Sequence, residues 1–257
     1  MSKLKKFLKL TIAILSLPCL LALSFYSLEQ QGYFKIDHID VKVRALSSQK
    51  NFVSPKVQRL QSQLDVMKGI SLWKAPLSQI SKTLKNQKWI KEFQISRVWP
   101  SGILLDIQTD DIALLVVTNS EEASVAETTV FKPVTQTGEV LEKIDSKAAP
   151  NSIITRDTQF LISQKVREGG LNVIKSLPAQ GKMTANQVSE IGYDKKEGYW
   201  IKLLNSETRV QYGEDQFEIK SARISQVIEY LESRNLKARV IDANLSKKVL
   251  VRLQQNP

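Results

Sequence analysis

Catalysis needs groups that exchange protons, attack carbon or hold metals, and this 257-residue chain has few arranged to do so. It holds one histidine, His38, and one cysteine, Cys19. A Ser-His-Asp set would need His38 as its base. The run "IDHIDVKVR" instead puts His38 on the strand face opposite Ile39, Val41 and Val43, where a solvent-facing role is the simpler reading. Zinc sites of the Cys/His type lack ligands, and no G-x-x-x-x-G-K-[ST] or G-x-G-x-x-G loop is present to cradle phosphate. Among carboxylates, Asp110 and Asp111 are adjacent, so on a strand they point to opposite faces and read as a charged strand end. Glu121 and Glu122 sit in a polar stretch. Glu190, Asp194 and Glu197 could approach across strands, but nothing orients them as a pair at glycosidase separation. Trp73, Trp89, Trp99 and Trp200 could line a sugar groove, yet each stands alone at an element end, where packing is the simpler account. No enzyme, metal or cofactor is expected.

The elements that would position these residues begin with an export signal. "MSKLKKFLK" carries four lysines and no acid, and Leu10 to Leu28 then runs without a charged residue. A helix over that run spans about 28 Å, close to the hydrocarbon thickness of a bilayer. The expectation is a cytoplasmic tail at 1–9 and a transmembrane helix at 10–28, with the remainder outside the cytoplasm. A cleaved signal peptide competes, since "ALSF" (Ala22 to Phe25) offers small residues at a cleavage spacing. The apolar run continues beyond that site through Phe25, Tyr26 and Leu28, which favours the anchor. Cys19 lies inside the run, so the exported part has no internal disulfide. A balance of 37 Lys+Arg against 26 Asp+Glu gives a net charge of +11, which suits an anionic neighbour but is mostly solvated lysine. Aromatics are 7% and do not interleave with the basic residues, so no nucleic-acid platform is expected.

Beyond the anchor, Ile36 to Arg44 alternates as a strand. Ser54-Pro55 reads as a helix entry, a capping hydroxyl before proline at the first helical position, with Val57, Leu60 and Leu64 on one face. A second helix starts near Pro76, with Leu77, Ile80 and Leu84 in register. Trp89–Val98 and Ile103–Thr109 read as two strands around the Trp99-Pro100 corner. The order β-α-α-β-β makes a small α+β unit over 34–110, in which two amphipathic helices cover three strands.

Residues 111–257 read as a second, β-rich unit. "IALLVVT" is strand-like, "TVFKPVTQTGEVLEKI" reads as a hairpin or loop pair with Gly138 in the turn, and 145–153 is a loop. Asp157–Glu168 is expected to be helical with Gly169-Gly170 as its stop, followed by a strand near Leu171–Leu177. "VSEIGYD", "GYWIKLL" and "TRVQYG" are three strands. A long helix spans Asp215–Ser233, and "ARVIDANL" and "VLVRLQ" close the chain as strands. The last strand, Val249–Leu253, is expected at a sheet edge that can accept a strand from a partner. Lys247, Lys248 and Arg252 beside it either discourage self-pairing while attracting an acidic peptide or only keep the edge soluble, and the sequence alone does not choose between the two.

Taken together, "FKIDHIDVKV", "ISLWKAPLSQISKTLKNQKWIKEFQISRVWPSGILLDI", "GYWIKLLNSETRVQYGE" and "VIDANLSKKVLVRL" resemble the FtsQ/DivIB family of bacterial cell-division proteins. The family's W-V … V-x-R-x-W-P-x-x-L-x-I run is matched by Trp89-Ile90, Arg97, Trp99-Pro100 and Leu104. The resemblance implies an N-terminal transmembrane helix, a POTRA module, and a β domain with at least one long C-terminal helix. It further implies a non-enzymatic scaffold of the divisome in the inner membrane at the septum, with the C-terminal domain in the periplasm. Partners of the FtsB/DivIC and FtsL type would add a strand at the β-domain edge, Leu245, Ser246, Lys247, Lys248, Val249, Leu250, Val251 and Arg252, while the POTRA module contacts other division proteins. One departure stands out. The family often carries D-L-R-Y near the last strands, where this chain has Asp242-Ala243-Asn244-Leu245, so a charge-assisted contact is lost at Asn244. The other reading is a POTRA-bearing periplasmic assembly protein with a cleaved signal, acting as a chaperone-like strand acceptor.

Overall fold

The computed structural model describes residues 18–118, 129–245 and 248–254. The expected tail and the first part of the expected membrane helix therefore lie outside the described residues, as do Glu121 and Glu122. Residues 18–30 are helical (α1), and among the described residues no helix is long and apolar enough to cross a membrane. The chain divides into two compact units, 1–44 with 55–109, and 45–54 with 110–257.

The first unit is built on three strands, β1 (His38–Arg44), β2 (Ile90–Val98) and β3 (Gly102–Thr109), in the order β1-β3-β2. β3 runs parallel to β1 and antiparallel to β2. As the central strand it carries the core: Ile103, Leu105 and Ile107 are fully buried. Two helices, α2 (Lys50–Asp65), of which 55–65 belong to this unit, and α3 (Leu77–Lys85), bury Leu60 and Leu64, and Ile80 and Leu84. The amide of Gln61 ties α2 to β1 by donating to the Ile39 carbonyl at 2.8 Å. The β-α-α-β-β order is thus mixed α+β. The start of α2 corrects the sequence expectation. The helix begins at Lys50, not at Ser54-Pro55, and Pro55 lies inside it. Phe52 and Val53 are both buried, so apolar burial recruits the preceding turn into the helix. The Ser54 hydroxyl, expected to cap, donates back to the Lys50 carbonyl at 2.8 Å.

The second unit holds one nine-stranded mixed sheet. Its strands are β4 (Ile112–Thr118), β5 (Val130–Thr135), β6 (Ile144–Asp145), β7 (Ile153–Thr155), β8 (Val188–Asp194), β9 (Gly198–Leu203), β10 (Arg209–Gly213), β11 (Ala238–Asp242) and β12 (Leu250–Leu253). Their order is β12-β11-β10-β9-β8-β7-β4-β5-β6. Helices α4 (Gln159–Ile162), α5 (Gln164–Ser176) and α6 (Phe217–Ser233) complete the unit. Its core gathers Val173 of α5, Ile224 of α6 and the inward residues Leu114, Ile191, Ile201, Val210 and Ile241 of the strands. β10 and β11 are parallel, and α6 is the crossover that parallel neighbours require.

Two further expectations fail here. Gly169-Gly170 does not stop a helix, and no strand covers Leu171–Leu177: α5 runs through both glycines to Ser176 and buries Val166, Gly170, Leu171 and Val173. The glycines serve close approach. A Cβ on Gly170 would collide with the ring of Phe160, which is itself fully buried. The segment 145–153, expected as a loop, is one apart from its two ends, which are the last residue of β6 and the first of β7; β7 is three residues long and joins β4 to β8 by parallel pairing. Asp110 also differs from a plain charged strand end. It is buried and accepts a hydrogen bond from the Thr137 hydroxyl.

Two outcomes follow from this packing. On an exposed helix, Gly→Ala gains about 1 kcal/mol, but Gly170→Ala must displace Phe160 and is expected to destabilise by about 1–3 kcal/mol, read as a lower urea midpoint. Burial also pushes the Tyr212 hydroxyl up to about 12 from an ordinary 10.0, with a smaller opposing effect of its hydrogen bond with Ser221. Below pH 10 both folded and unfolded chains keep that proton; between 10 and about 12 only the unfolded chain releases it, so stability is full below pH 10 and falls above it. Melting temperature measured across that range should fall less steeply in Tyr212→Phe than in the unsubstituted protein.

Candidate functional site

The C-terminal edge of the large sheet is assembled from three adjacent strands. β11 pairs with β10 on one side and with β12 on the other, and β12 ends the sheet. The antiparallel register sets Asp242 opposite Leu250, Ile241 opposite Val251 and Val240 opposite Arg252. Hydrogen bonds at the strand ends fix which backbone groups face outward. Gln254 N–H donates to the Lys237 carbonyl at 2.8 Å, and Ala243 N–H donates to the Gln211 carbonyl on β10 at 2.9 Å. Every second residue of a strand presents its backbone groups to the same side. Gln254, Arg252 and Leu250 therefore face β11, while Val251 and Leu253 turn N–H and C=O toward the open side. Among the described residues, no strand occupies that side. At the other end of the sheet β6 has two residues, too short to template a partner.

Side chains on β12 follow the pleat. Val249 and Val251 pack partly against the core, which fixes the strand's tilt. Leu250 and Leu253 are about half exposed, at 50% and 49%, and Leu245 in the preceding connection is likewise exposed at 49%. Arg252 and Lys248 are exposed. Of the eight residues named for this edge, Leu250, Val251 and Arg252 are on the strand, and Leu245, Lys248 and Val249 precede it. Ser246 and Lys247 lie outside the described residues. Leu253 and Gln254 belong to the same edge and fall within the expected last strand, but the alternation alone does not say which residues turn their backbone groups outward.

A buried cation backs this edge. Lys220 in the first turns of α6 is 2% exposed, and its ammonium donates to the Tyr212 carbonyl at 2.7 Å and to Asp215 at 2.8 Å. Tyr212 precedes Gly213, whose φ of +76° lies in the left-handed region. A Cβ at Gly213 would collide with the side chain of Asn244. Asn244 N–H in turn donates to the Asp242 carboxylate at 2.9 Å. The chain leaving β11 toward β12 is thus held by local contacts running from α6 through the end of β10 to Asp242-Ala243-Asn244. The sequence hides this. Lys220 precedes Ile224, Ile228 and Leu231 on the apolar stripe of α6, where a lysine would ordinarily be read as a surface residue.

Elsewhere the possible chemistry disperses. His38 is exposed. Asp194 accepts from the backbone N–H groups of Lys196 and Glu197, which together hold its carboxyl below the usual carboxylate range. Glu197 binds Gln211 and Arg209, and Trp200 lies under the Arg209 guanidinium at 4.3 Å, a cation-π contact. These are bonds that hold a turn and two strands together. Among the described residues no group of three His, Cys, Asp or Glu side chains could hold a metal. Arg97, Trp99 and Pro100 lie at the β2–β3 corner, where Arg97 Nε donates to the Leu72 carbonyl at 3.0 Å.

A POTRA-type unit followed by a β-rich unit with an unclosed C-terminal edge defines the class of protein. The family model for the POTRA domain, FtsQ-type, matches residues 50–108, and that for the cell division protein FtsQ/DivIB C-terminal region matches 123–244. The chain is 19% identical over 246 residues to the cell division protein FtsQ of Syntrophotalea carbinolica, covering 95% of this chain and 83% of that one. It is 22% identical over 220 residues to the cell division protein FtsQ of Geotalea daltonii, covering 86% and 76%. The chain belongs to the FtsQ/DivIB family of cell-division proteins.

Removing the ammonium at Lys220 should loosen the support of the edge. Lys220→Met leaves the Tyr212 carbonyl without its donor, at a cost of about 1–3 kcal/mol. The expected result is a lower melting temperature, with faster amide exchange at Ala243 and Asn244 than at β9.

Proposed function

We propose that this protein is a non-enzymatic, single-pass membrane scaffold of the bacterial divisome that binds division proteins of the FtsB/DivIC and FtsL type by strand addition at β12. The observation that carries the reading is the open side of β12, toward which Val251 and Leu253 turn their backbone groups between half-exposed Leu250 and Leu253. An incoming strand would complete the backbone hydrogen bonds there, and Leu250, Leu253 and Leu245 would supply apolar contacts. Exposed Lys248 and Arg252 suit a partner segment carrying acidic residues. Asn244 is held in local bonding with Asp242 and stands where the family often has arginine, so specificity here leans on backbone pairing and apolar contact more than on charge. The lysine-rich start and the apolar run to Leu28 support an anchor in the inner membrane, with the tail cytoplasmic and both units periplasmic at the septum. The POTRA unit is assigned to contacts with other divisome components.

The test is capture of the coiled-coil partners from division-stage membranes by the unsubstituted protein and by Val251→Pro and Leu250→Asp. Proline removes one outward donor without touching the β11–β12 bonds, and Leu250→Asp places charge on an exposed apolar contact. Both variants should keep the melting temperature within a few degrees and lose most of the captured partner. Equal capture by both folded variants would sink strand addition at this edge.

A further inference from the structure

The Trp99-Pro100 corner has no part in partner binding at β12, yet it sits in an aromatic cluster that the sequence does not foretell. Trp99 meets Phe34 edge-on at 5.5 Å between ring centroids and Trp73 at 4.8 Å. Phe25, on helix α1, stacks on Phe34 at 4.9 Å and reaches Trp73 at 6.0 Å. Tyr33 packs edge-on against Phe34 at 5.5 Å. Phe34 is buried at the centre, while Phe25, Tyr33, Trp73 and Trp99 remain 40–56% exposed. Trp99 packs against Phe34 and Trp73 and stays 55% exposed.

Backbone bonds draw these residues to one end of the first unit. Ile36 N–H donates to Ile70, Leu72 N–H to Phe34 at 2.7 Å, and Asp37 N–H to Ser101 at 2.9 Å. The segment leaving α1, the loop 69–74 and the β2–β3 corner therefore meet at one place. α1 is locked to it. Glu29 accepts from the Ser71 hydroxyl at 3.2 Å and lies 3.7 Å from the Lys74 ammonium. The link from α1 is a run of hydrogen-bonded turns, with Gln31 N–H donating to Ser27, Gly32 to Glu29, Tyr33 to Leu28 and Lys35 to Gly32, each at 3.0 Å.

Half-exposed tryptophan and tyrosine in one cluster are costly in bulk water and favoured in the headgroup layer of a bilayer, where the ring is solvated by acyl chains and the N–H or O–H by water. Lys35 and Lys74 beside them are exposed and match lipid phosphate. The apolar run that begins at Leu10 ends in the same cluster, with Leu20, Leu21 and Leu23 each more than 60% exposed on α1. We infer that this end of the POTRA unit is seated in the headgroup layer of an anionic phospholipid bilayer. Tyr33, Trp73 and Trp99 are its interfacial aromatics, and Lys35 and Lys74 its phosphate contacts. The inference rests on the membrane-anchored reading above and adds a rigid junction to it, since α1 and the unit share one aromatic core.

The full chain, reconstituted into vesicles of phosphatidylethanolamine and phosphatidylglycerol with acyl chains brominated near the headgroup, tests this by tryptophan quenching. The unsubstituted protein should lose part of its emission relative to unbrominated vesicles. The Trp73→Phe/Trp99→Phe variant, which keeps Trp89 and Trp200, should lose none. Replacing phosphatidylglycerol with phosphatidylcholine should weaken the quenching, and Lys35→Gln/Lys74→Gln should remove that lipid dependence. Alkaline carbonate extraction of the same vesicles separates the two readings. Protein that resists extraction but shows no quenching of Trp73 and Trp99 remains anchored and overturns the headgroup seat, giving the patch to a protein partner. Protein that is extracted overturns the anchor, and the inference with it.

Discussion

A backbone N–H at the last strand of a sheet has two stable partners, water or another strand, and this constraint organises the second unit. Eight of its nine strands have neighbours on both sides or are too short to attract one. Among the described residues β12 alone of these strands has a free side with length enough to matter. Val249 and Val251 pack partly against the core, and exposed Arg252 and Lys248 stand among half-exposed Leu245, Leu250 and Leu253. Positive charge at an edge discourages pairing with a second copy of the same basic strand while leaving main-chain pairing with an acidic segment favourable.

Support for that edge comes from behind it. A lysine with 2% exposure is costly to bury, and Lys220 offsets the cost with one carbonyl and one carboxylate. Asp215 is largely exposed, so the pair is only half removed from water. Its positional effect is sharper than its energetic one. It holds the end of β10 in the conformation that lets Gly213 lie against Asn244, which sets where the chain leaves β11. A well-placed strand edge loses less freedom when a partner pairs with it.

Element types were largely legible in the sequence, because alternation and helical spacing report burial directly. The alternation of Ile103, Leu105 and Ile107 on β3 and the helical spacing of Leu60 and Leu64 on α2 mark residues that are buried. Failures came where local chemistry points one way and tertiary packing another. Pro55 and Ser54 carry a good helix-start signal, yet Phe52 and Val53 extend the helix upstream. Gly169-Gly170 carries a good stop signal, yet Phe160 and Tyr199 need the space that two absent Cβ atoms leave. β7, at three residues, is too short for any period to show. At the candidate edge the strand was legible, but its outward groups were not. They depend on bonds from Gln254 to Lys237 and from Ala243 to Gln211, partners that only the fold brings together.

Recognition through main-chain hydrogen bonds asks little of sequence beyond a strand that stays open and in register. This chain shares 19% and 22% identity with two curated FtsQ proteins and still matches both family models. In this chain Val249 and Val251 pack partly against the core, and among the described residues no strand pairs with the outer side of β12. Under the strand-addition reading proposed above, a side chain at position 244 would tune the choice of partner rather than create the edge. The aromatic cluster of the first unit differs from this edge in kind: the edge offers backbone groups among half-exposed leucines, whereas the cluster offers half-exposed indole and phenol rings, apolar in body and polar at one tip.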